Sequence, residues 1–242
     1  MNTNIALSRA NRTIVGLLAL VGMMTLPACA TTYSALPIAA QVVDADSGEP
    51  LEDVIVVVKW EFDYIPPGIS EHRGFGTFEF AEAVTNKNGE FMFPGWGPKA
   101  VPSDTPSRAF MSPNNPTIAL FKPGYLYEVK NNPLQTAYLD DRNYIGDPVR
   151  HSTWNGKVIR LKRKSGDTSS YVARLQSPGG LPGGGSCNWE RIPRMLSALI
   201  REGERLRAIH IANRIMTLRD IEEKASRGNC RTAQEVLGSF LK

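Results

Sequence analysis

"VIVVVKWEF", residues 54–62, decides how the rest of this 242-residue chain is read. Side chains alternate across a strand, so Val54, Val56, Val58, Trp60 and Phe62 share one face. The other face begins with Ile55 and Val57 and turns polar at Lys59 and Glu61. This pattern predicts a strand covered on both sides at its start and half-solvated at its end. Upstream lie the apolar run IAAQVV (38–43) and the turn-rich DADSGEPLED (44–53). Downstream, GTFEFAEAVT (76–85) and EFMF (90–93) flank Asn86-Lys87-Asn88-Gly89. Asn and Gly supply the positive φ of tight hairpin turns, so a hairpin is expected there. TIALF (117–121) stops at Lys122-Pro123-Gly124-Tyr125, and KVIRLKRK (157–164) reads as an exposed closing strand with Ile159 and Leu161 inward. Short strands separated by turn residues predict a β-sandwich.

Three of these stretches, VVDADSGEPLEDVIVVV (42–58), TNKNGEFMF (85–93) and FKPGY (121–125), resemble the carboxypeptidase regulatory-like domain in order and spacing. The resemblance spans roughly residues 38–163 and implies a small transthyretin-like β-sandwich, assigned here to residues 37–164. The chain departs from the compact pattern at 63–76, 94–116 and 126–156, which are longer than plain hairpin loops. Long loops on a rigid scaffold often carry binding function. These hold Tyr64, Trp96, Phe110, Tyr138, Tyr144 and Trp154. Two readings stand: the aromatics form a surface for a glycan or peptide partner, or they cap the open ends of the sandwich core.

Beyond Lys164, the density of Gly, Pro and Ser in residues 165–186 predicts a flexible linker. From 187 to 242 the period changes. Trp189, Ile192, Leu196, Leu199, Gly203 and Leu206 recur at helical steps, and Ile211, Ile215 and Leu218 continue the stripe. Gly203 leaves open one long helix or two. Arg227-Gly228-Asn229 reads as a stop, and Thr232 with Glu235 as a capping box opening a last helix through Leu241. The fold class expected is therefore mainly β with a helical tail, the tail a C-terminal α-helical hairpin packed on the sandwich or on another protein.

The amino terminus reads differently. Arg9 and Arg12 precede the uncharged run TIVGLLALVGMMTL (13–26), which ends near the small residue Ala28. This is the layout of a secretory signal peptide, here residues 1–28. As a helix the run would rise roughly 21 Å, short of the about 30 Å of bilayer hydrocarbon. Leu26-Pro27-Ala28-Cys29 resembles the bacterial lipobox, which implies cleavage before Cys29, a diacylglycerol on its sulfur and a third acyl chain on the mature amino terminus. Two or more chains give stable anchoring, whereas one is marginal. Ala30, where enterobacterial inner-membrane lipoproteins carry aspartate, implies the outer membrane, facing the periplasm. Residues 29–36 are expected to be a tether. The plain alternative is a secreted protein in which Cys29 is incidental.

Cys187 and Cys230 remain, an even pair in a compartment that permits disulfides. Closing a loop of about 44 residues would contribute roughly 4 kcal/mol on the chain-entropy account. Residues 186–242 hold eleven basic and seven acidic side chains, a surplus suited to anionic headgroups or to a solvated helix surface. Nucleic acid is not an expected partner of an exported chain.

The residues offer little chemistry. A zinc carboxypeptidase needs His-x-x-Glu, and His72, His151 and His210 are followed by other sequences. Hydroxyisourate hydrolase ends in Tyr-Arg-Gly-Ser, whereas this chain ends Ser-Phe-Leu-Lys. His151 and Ser152 are adjacent and face opposite ways on a strand. Asp44, Asp46 and Glu49 crowd one turn, read as backbone-shaping residues in preference to a calcium site. No cofactor, metal or catalytic residue is expected. The function expected is a non-catalytic envelope-binding or assembly lipoprotein held to the bilayer by acylated Cys29. The alternative is a hydrolase or ligand-processing enzyme with its site in the long loops.

Overall fold

A computed structural model describes residues 31–241, except 69–70, 72, 107–108, 113, 133–147, 167, 182–186 and 212–213. The leader, Cys29, Tyr138 and Tyr144 lie outside the described residues. Thr32 onward forms one compact unit.

Eleven strands are described: β1 (Thr32–Ala35), β2 (Ile38–Asp44), β3 (Ile55–Tyr64), β4 (Arg73–Val84), β5 (Glu90–Phe93), β6 (Trp96–Ala100), β7 (Ala109–Met111), β8 (Thr117–Phe121), β9 (Glu128–Lys130), β10 (Val149–Arg150) and β11 (Val158–Leu161). The largest sheet runs β4-β3-β8-β9, with β7 pairing the far end of β3. Facing it are two three-stranded sheets, β10-β1-β6 and β11-β2-β5. Val56, Val58, Trp60, Phe62, Ile118 and Leu120 of the large sheet meet Ile38, Val42, Phe91, Phe93, Ile159 and Leu161 in one core. The mainly β class with helices after it is therefore the observed one.

The large sheet is covered on its second face as well. Val57, Phe80, Ala119, Phe121 and Tyr127 pack under four helices: α1 (Thr168–Gln176), α2 (Pro193–Ala208), α3 (Leu218–Gly228) and α4 (Ala233–Leu237). Alternation decides which core each residue joins. Val56 and Val58 face the sheets, Val57 faces the helices, and along β8 Ile118 and Leu120 oppose Ala119 and Phe121. The expected double cover of β3 is present and extends further than expected, because Lys59 is buried too. Its ammonium donates to the Leu181 carbonyl at 3.3 Å and pairs with Glu61 at 2.8 Å. The helical segment thus packs on its own sandwich.

Four expectations are corrected. Residues 32–35 are a strand and not tether, since Tyr33 and Ala35 alternate into the core. Residues 165–186 are not simply a linker: Tyr171, Val172 and Leu175 fall at helical spacing and bury α1, and the Tyr127 hydroxyl donates to the Gly179 carbonyl at 2.6 Å. The Asn86–Gly89 turn reverses the chain, with Asn86 Oδ1 accepting from the Asn88 and Glu90 amides. Its flanking strands nevertheless pair elsewhere, β4 with β3 and β5 with β2, because turn chemistry fixes a reversal and not a partner. The last helix ends at Leu237, short of Leu241.

Gly203 does not break α2, which runs through it from Pro193 to Ala208. A Cβ there would stand 2.7 Å from Ile215 Cγ2, so glycine admits a close approach of the following segment. The helical run pauses after Ala208 and restarts at Thr217, whose capping box with Asp220 opens α3. Asn229, left-handed at φ 52°, ends α3, and the Thr232–Glu235 box opens α4 as expected. In an ordinary helix, Gly→Ala gains about 1 kcal/mol. Overpacking costs about 1–3 kcal/mol, so Gly203→Ala is predicted to lower stability by about 1 kcal/mol. Urea unfolding showing a gain would refute the close approach.

Candidate functional site

Among the described residues, the loop aromatics Tyr64, Trp96, Phe110 and Trp154 do not form one surface. The Trp96 ring sits edge-on to Trp60 at 5.3 Å and Phe78 at 5.5 Å, closing the end of the β-core. Phe110 is buried on β7. Half-buried Trp154 donates from Nε1 to the Asn131 carbonyl at 3.1 Å, within a loop pair laced by Asn132, which accepts from the Thr153 amide and hydroxyl at 2.8 Å each. Trp96 and Trp154 pack against the β-core, whereas Phe110, paired in register with Asp63, is buried outside it. Tyr64 differs: it lies at the outer end of β3, edge-on to exposed Phe75 at 6.3 Å.

The buried acidic groups join elements to one another. Asp44 Oδ1 accepts from the amides of Asp46 (2.9 Å) and Ser47 (3.1 Å), while Oδ2 accepts from the Tyr125 hydroxyl (2.8 Å) and Arg163 Nε (2.6 Å). The Ser47 amide, then the Tyr125 hydroxyl, hold its carboxyl well below the usual carboxylate range against the opposing effect of burial. This supports the turn reading over calcium, since the Asp44 oxygens are already occupied by donors. Tyr125, where FKPGY ends, is thereby tied to the first turn, and burial and the Asp44 contact raise its own pKa.

Glu79 on β4 is 5% exposed and pairs with Lys99 of β6 and Arg191 of the 3-10 turn Cys187–Arg191. Glu82, three residues further along β4, accepts from the Arg194 and Met195 amides at 3.1 and 2.6 Å. It supplies the carboxylate that α2 lacks, because Ile192 at the N-cap offers no side-chain acceptor. Burial raises the Glu82 pKa against the pull of those amides. Glu202 of α2 accepts from the Tyr171 hydroxyl at 2.7 Å and from Arg205, locking α1 to α2. Burial pushes the Glu202 carboxyl up, but the Arg205 and Tyr171 bonds outweigh it and leave the pKa lowered.

Cys187 and Cys230 form the expected disulfide, S–S 2.09 Å, across a separation of 43 residues. Among the described residues, Cys187, Glu190 and Cys230 are the one His/Cys/Asp/Glu group close enough to share an ion. Its sulfurs are bonded to each other and Glu190 binds the Arg231 amide and guanidinium at 2.9 and 2.7 Å, so the arrangement does structural work. An open groove of about 700 Å³ crosses the bare side of β5-β2-β11, lined by Ala39, Gln41, Glu90, Met92, Lys157 and Val158. Its Gln41 amide already donates to the Asn88 carbonyl. No described helix is long and apolar enough to cross a membrane.

No protein-family model and no curated protein matches the chain. Among solved structures it is similar, over 58% of its length, to 3-chlorocatechol 1,2-dioxygenase from Rhodococcus opacus 1CP, at 13% identity and TM-score 0.30. Over 80% of its length it is similar to a 9R-lipoxygenase from Cyanothece PCC8801, at 13% identity and TM-score 0.22. The chain spans 64% and 26% of those proteins. Likeness at this level assigns neither an activity nor a family.

Two outcomes follow from the geometry. Trp96→Ala is predicted to cost about 2–3 kcal/mol, below the range for a fully buried tryptophan because Trp96 is half-buried; a loss under about 0.5 kcal/mol, the range of ordinary surface changes, would return it to a surface role. The depressed pKa of Asp44 stabilises the fold fully above the unfolded value of about 3.9, and the contribution disappears as pH falls through the folded value. Asp44→Asn should therefore be less stable at pH 7 and lose less on acidification than the parent, measured by urea unfolding at pH 7 and pH 3. Parallel pH profiles would refute it.

Proposed function

We propose that this chain is a lipid-anchored lipoprotein facing the periplasm, acting as a non-catalytic binding or envelope-assembly module. The anchor is Cys29, following the lipobox-like Leu26-Pro27-Ala28, and the β layers are a carboxypeptidase regulatory-like sandwich. The observation that carries the scaffold reading is the placement of the buried acids Asp44, Glu79 and Glu202 and of half-buried Glu82, each of which bridges separate elements of the fold. Such groups fix geometry, which a module presenting a surface requires. The Cys187–Cys230 disulfide supports export, since bonds of this kind persist in oxidising compartments.

The test is mass spectrometry and membrane fractionation of the expressed full chain beside Cys29→Ala. The account expects a mature protein beginning at Cys29 with acyl mass, recovered with membranes, and a Cys29→Ala form lacking that mass. An unmodified cysteine in the parent removes the anchor. Crosslinking from the same membranes should recover an envelope protein or glycan with the parent form.

A further inference from the structure

The described β-sandwich starts close behind the anchor. β1 begins at Thr32, three residues after Cys29, and the Ser34 amide is bonded to the Pro148 carbonyl at 2.8 Å. Three residues reach at most about 10 Å. An acylated Cys29 lies at the edge of the hydrocarbon, and the headgroup layer is only about 5–8 Å deep on each side. The end of the sandwich at Thr32 is therefore held at the headgroups.

The structure also identifies what else lies at that end. Ala35 of β1 pairs with Trp96, whose ring contacts Trp60 of β3, while Tyr33 contacts Phe62 at 5.7 Å. Going back along β1 toward Thr32 is thus going forward along β3 toward Tyr64. The interior aromatic column runs Trp60 and Trp96, then Phe62, Phe78 and Tyr33, then Tyr64 with Phe75. Burial fades along it: Trp60 is 2% exposed, Phe62 3% and Phe75 41%. Tyr64 stands two residues past Phe62, about 7 Å, so the β3–β4 rim reaches beyond the level of Thr32. Half-buried Ile65 and exposed Pro67 continue it, and among the described residues of this segment the charges beside it are Asp63, Glu71 and Arg73.

We propose that this rim, Tyr64, Ile65, Pro67 and Phe75, is a membrane-contact surface that rests in the headgroup region of the bilayer carrying the Cys29 anchor; the proposal rests on the lipoprotein reading above. Amphipathic rings favour the membrane–water boundary, and a rim with mixed charges and no basic cluster among its described residues binds by apolar and aromatic contact rather than by charge. The rim is a second attachment that fixes which way the module faces.

A single thiol reports on it, because the Cys187–Cys230 bond and acylation of Cys29 leave an introduced cysteine as the only free one. Arg73→Cys, on the rim, and Glu52→Cys, before the opposite end of β3, are each labelled with an environment-sensitive fluorophore. The lipidated full chain is then placed in phosphatidylethanolamine–phosphatidylglycerol vesicles carrying a headgroup-depth quencher. The expected result is loss of fluorescence at 73 and none at 52, with the loss at 73 abolished by Tyr64→Ser together with Phe75→Ser. Mass spectrometry of the same samples separates the failures. Acylated protein with equal signals at 73 and 52 overturns the rim while leaving the anchor. Quenching at 73 that survives the double serine change overturns the aromatic contact. Absence of acyl mass overturns both.

Discussion

Everything in this fold depends on β3 having no solvent-facing side over most of its length. Val56, Val58, Trp60 and Phe62 require one apolar layer and Val57 requires another. A strand of this kind cannot end at a two-layer sandwich without exposing Val57, Phe80, Ala119 and Phe121, large apolar area worth about 25 cal/mol per Å² on burial. The helices supply the missing layer. The chain after Lys164 is therefore the third layer of the same domain, and its position is dictated by the opposite face of the strands that make the β-core.

Buried and half-buried carboxylates set where that third layer lands. Glu79 and Glu82 lie on the same strand and reach the 3-10 turn and the start of α2, while Glu202 fastens α1 to α2. A buried ion pair contributes little net stability, because desolvation offsets most of the attraction. What it does contribute is register: apolar contact alone would let an amphipathic helix slide or rotate over the sheet. Lys99 and Arg191 each remain about half exposed, which keeps the desolvation cost of the Glu79 cluster low. The disulfide adds a covalent limit by tying Cys187 to Cys230 across α2 and α3.

Much of this was legible in the sequence, for reasons that differ by element. Strands β3 and β11 follow from two-residue alternation, β8 from a short run stopped by the Lys122–Tyr125 turn, and the second capping box and the Asn229 stop from local hydrogen-bond chemistry. The cysteine pair follows from parity. What was hidden is non-local. Nothing in Asn86–Gly89 tells β4 and β5 to join different sheets. The glycines of 179–180 mask α1, although the spacing of Tyr171, Val172 and Leu175 was the available signal. Gly203 reads as a breaker until Ile215 is known to press on it. Glu82 as the cap of α2 is unreadable, since acceptor and donors are over a hundred residues apart. Of the six loop aromatics, alternation could have separated Tyr64 from Phe110 only once β3 and β7 were known to pair.

The most direct test of the three-layer account is a chain shortened at Lys164 and followed by near-ultraviolet circular dichroism and urea unfolding. With Val57, Phe80, Ala119 and Phe121 uncovered, the shortened chain should lose its fixed aromatic signal and its cooperative transition, and associate. A stable monomer with the parent's β-core signal and a sharp transition would contradict the account, and would make the helices an independent unit.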